Sequence, residues 1–166
     1  MGHPTGLARA GILLWLICSI VLVAGCASIR FSLREPGVVH KTFADKVARE
    51  YHCDKRPLPF FEFEKSELVP EKIKPGREFN HRIVYVLCPE RPTGVISGKL
   101  HTRILNRGEA IKHEVVEMEL QEGRWVVDTF ITLPESAEPG AYAMQVTFDS
   151  DKGDLETIGS FVVLSK

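Results

Sequence analysis

Charge is what the start of this chain lacks. From Ala10 to Ala27 there is no Asp, Glu, Lys or Arg, and Arg9 is the only charged side chain before that run. Elsewhere the shortages are of motifs. There is no Gly-x-Ser-x-Gly and no Ser-x-x-Lys, which removes the serine-nucleophile arrangements that those spacings build. There is no Cys-x-x-Cys, His-x-x-x-His or Cys-x-x-Cys-His, so neither structural zinc nor covalent haem has its ligand spacing. Lys and Arg number 21 against 22 Asp and Glu, and they are interspersed with acids rather than clustered. That argues against a nucleic-acid surface or a polybasic membrane contact. These shortages point away from an enzyme and away from any cofactor.

What the uncharged run does contain is Ile12, Leu13, Leu14, Trp15, Leu16, Ile17, Ile20, Val21, Leu22 and Val23. A weakly positive start, an apolar core and small closing residues are the parts of a secretory signal. The run ends Leu22-Val23-Ala24-Gly25-Cys26, which resembles the lipobox of bacterial lipoproteins. The resemblance implies a cleaved signal peptide over residues 1–25 and a Cys26 thiol that takes diacylglycerol as the first residue of the mature chain. Small Ala24 and Gly25 let the backbone enter a peptidase site. The alternative is an uncleaved membrane anchor. The run falls short of the roughly 20 apolar residues of a span, and it lacks the flanking Lys/Arg clusters that fix one. Ala27 and Ser28 follow the cysteine, so the Asp that resembles an inner-membrane retention signal is absent. The expected location is the outer membrane, facing the periplasm.

Removing residues 1–25 from the 166 leaves 141, enough for one domain and a tether. Of four cysteines, Cys18 leaves with the signal and Cys26 is acylated. Cys53 and Cys88 remain, in an exported chain where oxidation is permitted. A disulfide between them closes a loop of about 35 residues and stabilises by roughly 3–4 kcal/mol in the chain-entropy model. The competing reading is a metal site, since His52 adjoins Cys53 and His81 precedes Cys88.

Residues 26–41 read as a lipid-anchored linker with a turn at Glu35-Pro36-Gly37. Residues 42–56 read as a short helix and an entry segment. Thr42-Phe43-Ala44-Asp45 has the form of a capping box, and Phe43, Val47 and Tyr51 recur at helical spacing, which predicts a helix over 43–51. From 57 to 166 the pattern alternates. Phe61, Phe63, Leu68 and Val69 suggest a broken first strand, and a second over 79–87 carries Ile83, Val84, Tyr85, Val86 and Leu87, a run too apolar for a half-exposed edge, so that strand is central. Ile96, Leu100 and Ile104 oppose Lys99, His101 and Arg103, and Val116, Met118 and Leu120 oppose Glu117 and Glu119. Glu122-Gly123 reads as a hairpin turn. Trp125, Val127, Ile131 and Leu133 share a side, as do Tyr142, Met144, Val146 and Phe148, and Phe161 and Val163 close the chain. About seven strands with no helix between them predict an all-β, antiparallel sandwich.

Gly123-Arg124-Trp125, Leu133-Pro134 and Pro139-Gly140-Ala141-Tyr142 resemble the end of immunoglobulin-like and macroglobulin-like modules on bacterial surfaces. The resemblance spans about residues 60–164. It implies an immunoglobulin-like sandwich whose Tyr142 hydroxyl bonds backbone near the preceding corner, and it implies no activity. Cys53 precedes the first strand of such a module, so a bridge to Cys88 staples the entry segment instead of crossing the sandwich.

Three residues break the alternation. Phe60, Phe61 and Phe63 cannot all face one side of a strand. Either the helix covers the second face, or the rings form an exposed patch that binds a partner chain. His101 and His113, on neighbouring strands, read first as a solvated face and second as a pair that binds Cu(II) or Zn(II). The turn Asp149–Asp154 has the start of a calcium loop, but its twelfth position is Ser160 rather than Glu. The function expected from sequence is that of a lipid-anchored cell-envelope module that binds or scaffolds a protein partner. The alternatives are an accessory subunit of a secretion or transport assembly and a periplasmic metal-binding protein. The ligand and the oligomeric state are not encoded in any motif.

Overall fold

The computed structural model describes residues 34–166. The expected signal peptide and Cys26 lie outside them. Among the described residues, nine strands and one helix follow in the order β1 (Gly37–Thr42), α1 (Ala44–Tyr51), β2 (Phe60–Val69), β3 (Lys72–Ile73), β4 (Glu78–Cys88), β5 (Val95–Asn106), β6 (Glu109–Gln121), β7 (Gly123–Thr132), β8 (Gly140–Ser150) and β9 (Leu155–Val163). A single 3-10 turn, Cys53–Lys55, follows α1. The strands form two sheets, β1-β7-β4-β2 and β3-β9-β8-β5-β6.

The core fills from the alternating positions. Phe79, Ile83, Tyr85 and Leu87 of β4 meet Ile96, Leu100 and Ile104 of β5 and Met144, Val146 and Phe148 of β8 in one buried cluster. At Gly98 a Cβ would lie 2.4 Å from the Asp149 carbonyl and 2.6 Å from the Phe148 ring, so only glycine leaves room for that ring. Tyr142 anchors the corner before β8, its hydroxyl donating to the Glu138 carbonyl at 2.9 Å. The β4 strand is central and buried on both faces, because α1 covers its outer side. Val47 of the helix packs on Val86 with Cys53 and Cys88, flanked by Tyr51 and Phe60. A disulfide joins Cys53 to Cys88, so the turn after the helix is bonded to the end of β4.

Four expectations change against these coordinates. Residues 37–42, read as part of a linker, form β1, because β-branched Val38 and Val39 extend the chain alongside Val127 and Val126 of β7. The first strand is not broken: β2 runs through Phe60–Val69 with a bulge between Phe63 and Lys65, and only after Pro70 does the chain change sheet to form β3 against β9, the one parallel pairing among the described strands. Glu122-Gly123 does not make a hairpin. The β6 and β7 strands belong to different sheets, and Gly123, at φ 96°, turns the chain between them. The capping box does not form either. Phe43 occupies the N-cap position, and no side chain caps the helix there.

Candidate functional site

The three phenylalanines are divided rather than gathered. Phe61 and Phe63 turn inward to the main core, Phe61 edge-on to Phe148 with centroids 6.5 Å apart. Phe60 turns outward beneath the helix, 5.6 Å from the Tyr51 ring and 4.1 Å from the Arg56 guanidinium. All three are half-buried, and they present no common exposed face. Alternation sends neighbours to opposite faces, and here both faces are covered.

Several polar and charged groups on the four-stranded sheet pair across it. Arg82 of β4 forks onto Asp128 of β7, with Nε to Oδ1 at 2.9 Å and Nη2 to Oδ2 at 2.7 Å. Arg124 of β7 reaches across β4 to Glu64 of β2 and also bonds Glu50 of α1 at 2.7 Å. The Tyr51 hydroxyl donates to the same Glu64 carboxylate. Burial pushes the Glu64 carboxyl up, but hydrogen bonds from Arg124 and Tyr51 outweigh it and hold the group below the ordinary carboxylate range. Burial and then Glu64 raise the Tyr51 hydroxyl. His81, facing the core, is 2.8 Å from the Ser66 hydroxyl, and burial lowers it to about 4 against the pull of Asp128. Burial likewise pushes Tyr85 up to about 12, its oxygen accepting the Gln121 amide. These groups lock elements together.

An open site lies where the two sheets fail to meet. On one side β2 closes onto β9, with Leu68 against Gly159. On the other side the inner faces of β1 and β6 are uncovered. Val38 stands beside the core residue Val127 yet is 53 % exposed, and Val116 stands beside the core residue Leu100 yet is 54 % exposed. Val38 pairs with Val127, five residues along β7 from Glu122, and Val116 lies six residues before Glu122 on β6. At that end is a cleft of about 380 Å³, lined by His40, Phe43, Val95, Gln121, Glu122 and Trp125 among others. Its wall is aromatic. The His40 ring is 4.8 Å from Trp125 and 4.7 Å from Phe43, and Phe43 is 73 % exposed. Trp125 is oriented by its indole N–H, which donates to the Glu122 carbonyl at 2.9 Å. The Glu122 carboxylate takes the Thr93 amide at 3.0 Å. Gly123 makes the wall possible, because a Cβ there would lie 2.6 Å from the Thr42 carbonyl of β1.

Sequence reasoning missed this cleft. Val38-Val39-His40 carries the alternation of a short strand, but it follows Pro36-Gly37 and was absorbed into the linker. Val116, expected in the core, projects beyond the edge of the facing sheet.

The histidines do come together. His101 of β5 and His113 of β6 are diagonal neighbours across their strand pair, with Nδ1 of His101 3.3 Å from Nε2 of His113. The acidic turn does not open as a calcium loop. Ser150 Oγ donates to the Gly153 carbonyl at 2.6 Å, and Asp154 accepts the Ser150 amide. Among the described residues no group of three or more His, Cys, Asp or Glu surrounds a point where an ion could sit, and no helix is long and apolar enough to cross a membrane.

No protein-family model and no curated protein matches this chain. Solved structures similar in fold include the sporulation control protein of Bacillus subtilis, 13 % identical, with a TM-score of 0.45 over 64 % of this chain and 50 % of that one. A β-glucosidase from Listeria innocua in complex with glucose is 15 % identical, with a TM-score of 0.46 over 66 % of this chain and 17 % of that one. A CARDB domain from Pyrococcus furiosus, solved with di-metal ions, is 17 % identical, with a TM-score of 0.37 over 67 % of this chain and 99 % of that one. This chain spans about half the length of the sporulation control protein. At these identities the likeness gives this chain no activity.

Proposed function

We propose that this chain is an exported, lipid-anchored binding module of the cell envelope, with an immunoglobulin-like sandwich that takes an extended apolar segment of a partner protein between β1 and β6. The observation that carries the binding reading is the exposure of Val38 and Val116, two inward-facing apolar side chains set beside core residues and left uncovered by the described residues. An extended segment satisfies what this opening presents. Its alternate side chains fill the aromatic cleft, and its backbone pairs with an open strand edge. The sandwich reading is supported by the grouping of β2, β4 and β7 against β5, β6, β8 and β9, and by the Tyr142 corner. The anchor reading rests on Leu22-Val23-Ala24-Gly25-Cys26. A role as an accessory subunit of an envelope assembly is the same reading with the partner specified.

Two measurements test the halves separately. Cys26→Ser should abolish fatty-acid labelling and processing after Gly25, and normal labelling of that variant overturns the anchor. For the cleft, a photo-crosslinking residue is placed at Val38, Val116 or, as a control on the opposite sheet face, Ile158. The full-length protein is then irradiated in the cell envelope. Val38 and Val116 should yield the same adduct and Ile158 none. Adducts that do not differ from the control overturn the cleft.

A further inference from the structure

We propose that His101 and His113 form a site for one divalent transition-metal ion, Cu(II) in preference to Zn(II), on the outer face of the five-stranded sheet. The site is independent of the cleft, which opens on the inner face.

The geometry is that of two cis ligands. Nitrogens bound about 2.0–2.1 Å from one ion are about 3.3 Å apart at the tetrahedral angle and about 2.9 Å apart at a right angle. Nδ1 of His101 and Nε2 of His113 are 3.3 Å apart and face one another, with the rings near-parallel at 21°. The pairing of β5 with β6 fixes both backbones, so little ordering remains to be done on binding. The second nitrogen of His101 is also provided for. Its Nε2 points at Asp149 Oδ2 of β8, 3.7 Å away, a small side-chain rotation from a hydrogen bond. A carboxylate behind a metal-bound imidazole orients the ring and raises its basicity.

The protons balance without loss. Each neutral imidazole keeps its one N–H on the nitrogen remote from the ion: Nε2–H of His101 toward Asp149, and Nδ1–H of His113 toward water. The nearest cations on this face are drawn aside. Arg103 donates to Gln145 at 3.3 Å, on the side away from β6, and Lys99 lies 3.9 Å from Glu117. Two protein ligands leave the remaining positions to water, so the ion is exchangeable. Such nitrogen sites follow the order that ranks Cu(II) above Zn(II).

The test is Cu(II) titration of the protein isolated from the cell envelope in detergent; processing after Gly25 removes His3, and where His3 is retained the titration uses His3→Ala, so that no imidazole before Cys26 competes. Calorimetry should give one equivalent, with hyperfine coupling from two imidazole nitrogens in the paramagnetic resonance spectrum and a weaker response to Zn(II). His101→Ala and His113→Ala should each remove that equivalent, while Asp149→Asn should weaken it about 10–100-fold. His52→Ala should leave it unchanged. Circular dichroism of the metal-free variants separates loss of ligand from loss of fold. If the parent binds no equivalent, or if the His101/His113 double variant binds as the parent does, the site is refuted.

Discussion

His81 sets the acid side of this protein's stability. In the unfolded chain it titrates near its ordinary value of 6.5, whereas burial in the core lowers it to about 4. Above pH 6.5 both states are neutral and the residue has no pH effect. Below it the unfolded chain takes a proton that the folded one refuses, so stability falls by about 1.4 kcal/mol per pH unit, roughly 3 kcal/mol in all by pH 4. Urea unfolding between pH 7 and pH 4 should show this slope, and His81→Gln should flatten it. Glu64 acts lower down. Its depressed carboxyl contributes stability that is present above the ordinary carboxylate range and is lost only as pH falls through its lower folded value, which keeps the two contributions apart. Gly98 and Phe61 belong to the same scale. Gly98→Ala drives a methyl into the Asp149 carbonyl and the Phe148 ring and should cost about 1–3 kcal/mol, read as a lower melting temperature. Phe61→Ala should also lower it, because that ring packs against Phe148 within the core.

Among the elements, α1 has the least claim to exist alone, since eight residues are too few for a stable helix in water. Three attachments hold it: Val47 against Val86, the Cys53–Cys88 bridge, and Glu50 and Tyr51 through Arg124 and Glu64. Replacing both cysteines by alanine should cost about 3–4 kcal/mol in chemical denaturation and speed amide exchange in α1 ahead of β4. The strands show what a sequence can disclose. Alternation identified the facing of Ile96, Leu100 and Ile104 and of Tyr142, Met144, Val146 and Phe148, because a period of two is a local property. It could not tell which sheet a strand joins. Gly123 changes sheets where the local pattern reads as a hairpin, the break expected between Phe63 and Leu68 is only a bulge in a continuous β2, and the two-residue β3 is too short to carry any period. Of the candidate sites, the histidine pair was legible because His101 and His113 sit on adjacent strands. The cleft was not, since it exists only once β1 docks beside β7 and sets His40 against Trp125.

At the scale of the molecule, the sandwich is closed along β2 and β9 and open along β1 and β6, so the side proposed to bind is not the side that holds the sheets together. Substitutions at the open side should therefore separate binding from stability. Phe43→Asp replaces a ring that already faces solvent by a charge, so the free energy of unfolding should stay within about 0.5 kcal/mol of the parent's. The same substitution should abolish the adduct formed from Val38. A fall in stability comparable to that of Phe61→Ala would mean that Phe43 is structural.

The disulfide has a mechanical meaning as well. Gly37, the first residue of β1, is where any pull from the amino-terminal side enters the domain, and β1 is attached to the sheet through β7 alone. A load applied there strips β1 first and carries His40 away from Trp125, so tension would open the cleft before it reached the core. The unravelling then stops at Cys53, whose covalent bond to β4 passes the force to the most deeply buried strand. About 16 residues can pay out before that stop, some 55 Å of extended chain. Under a stretching force the bridge acts as a fuse in reverse: it gives up β1, limits the slack and spares the rest of the sandwich.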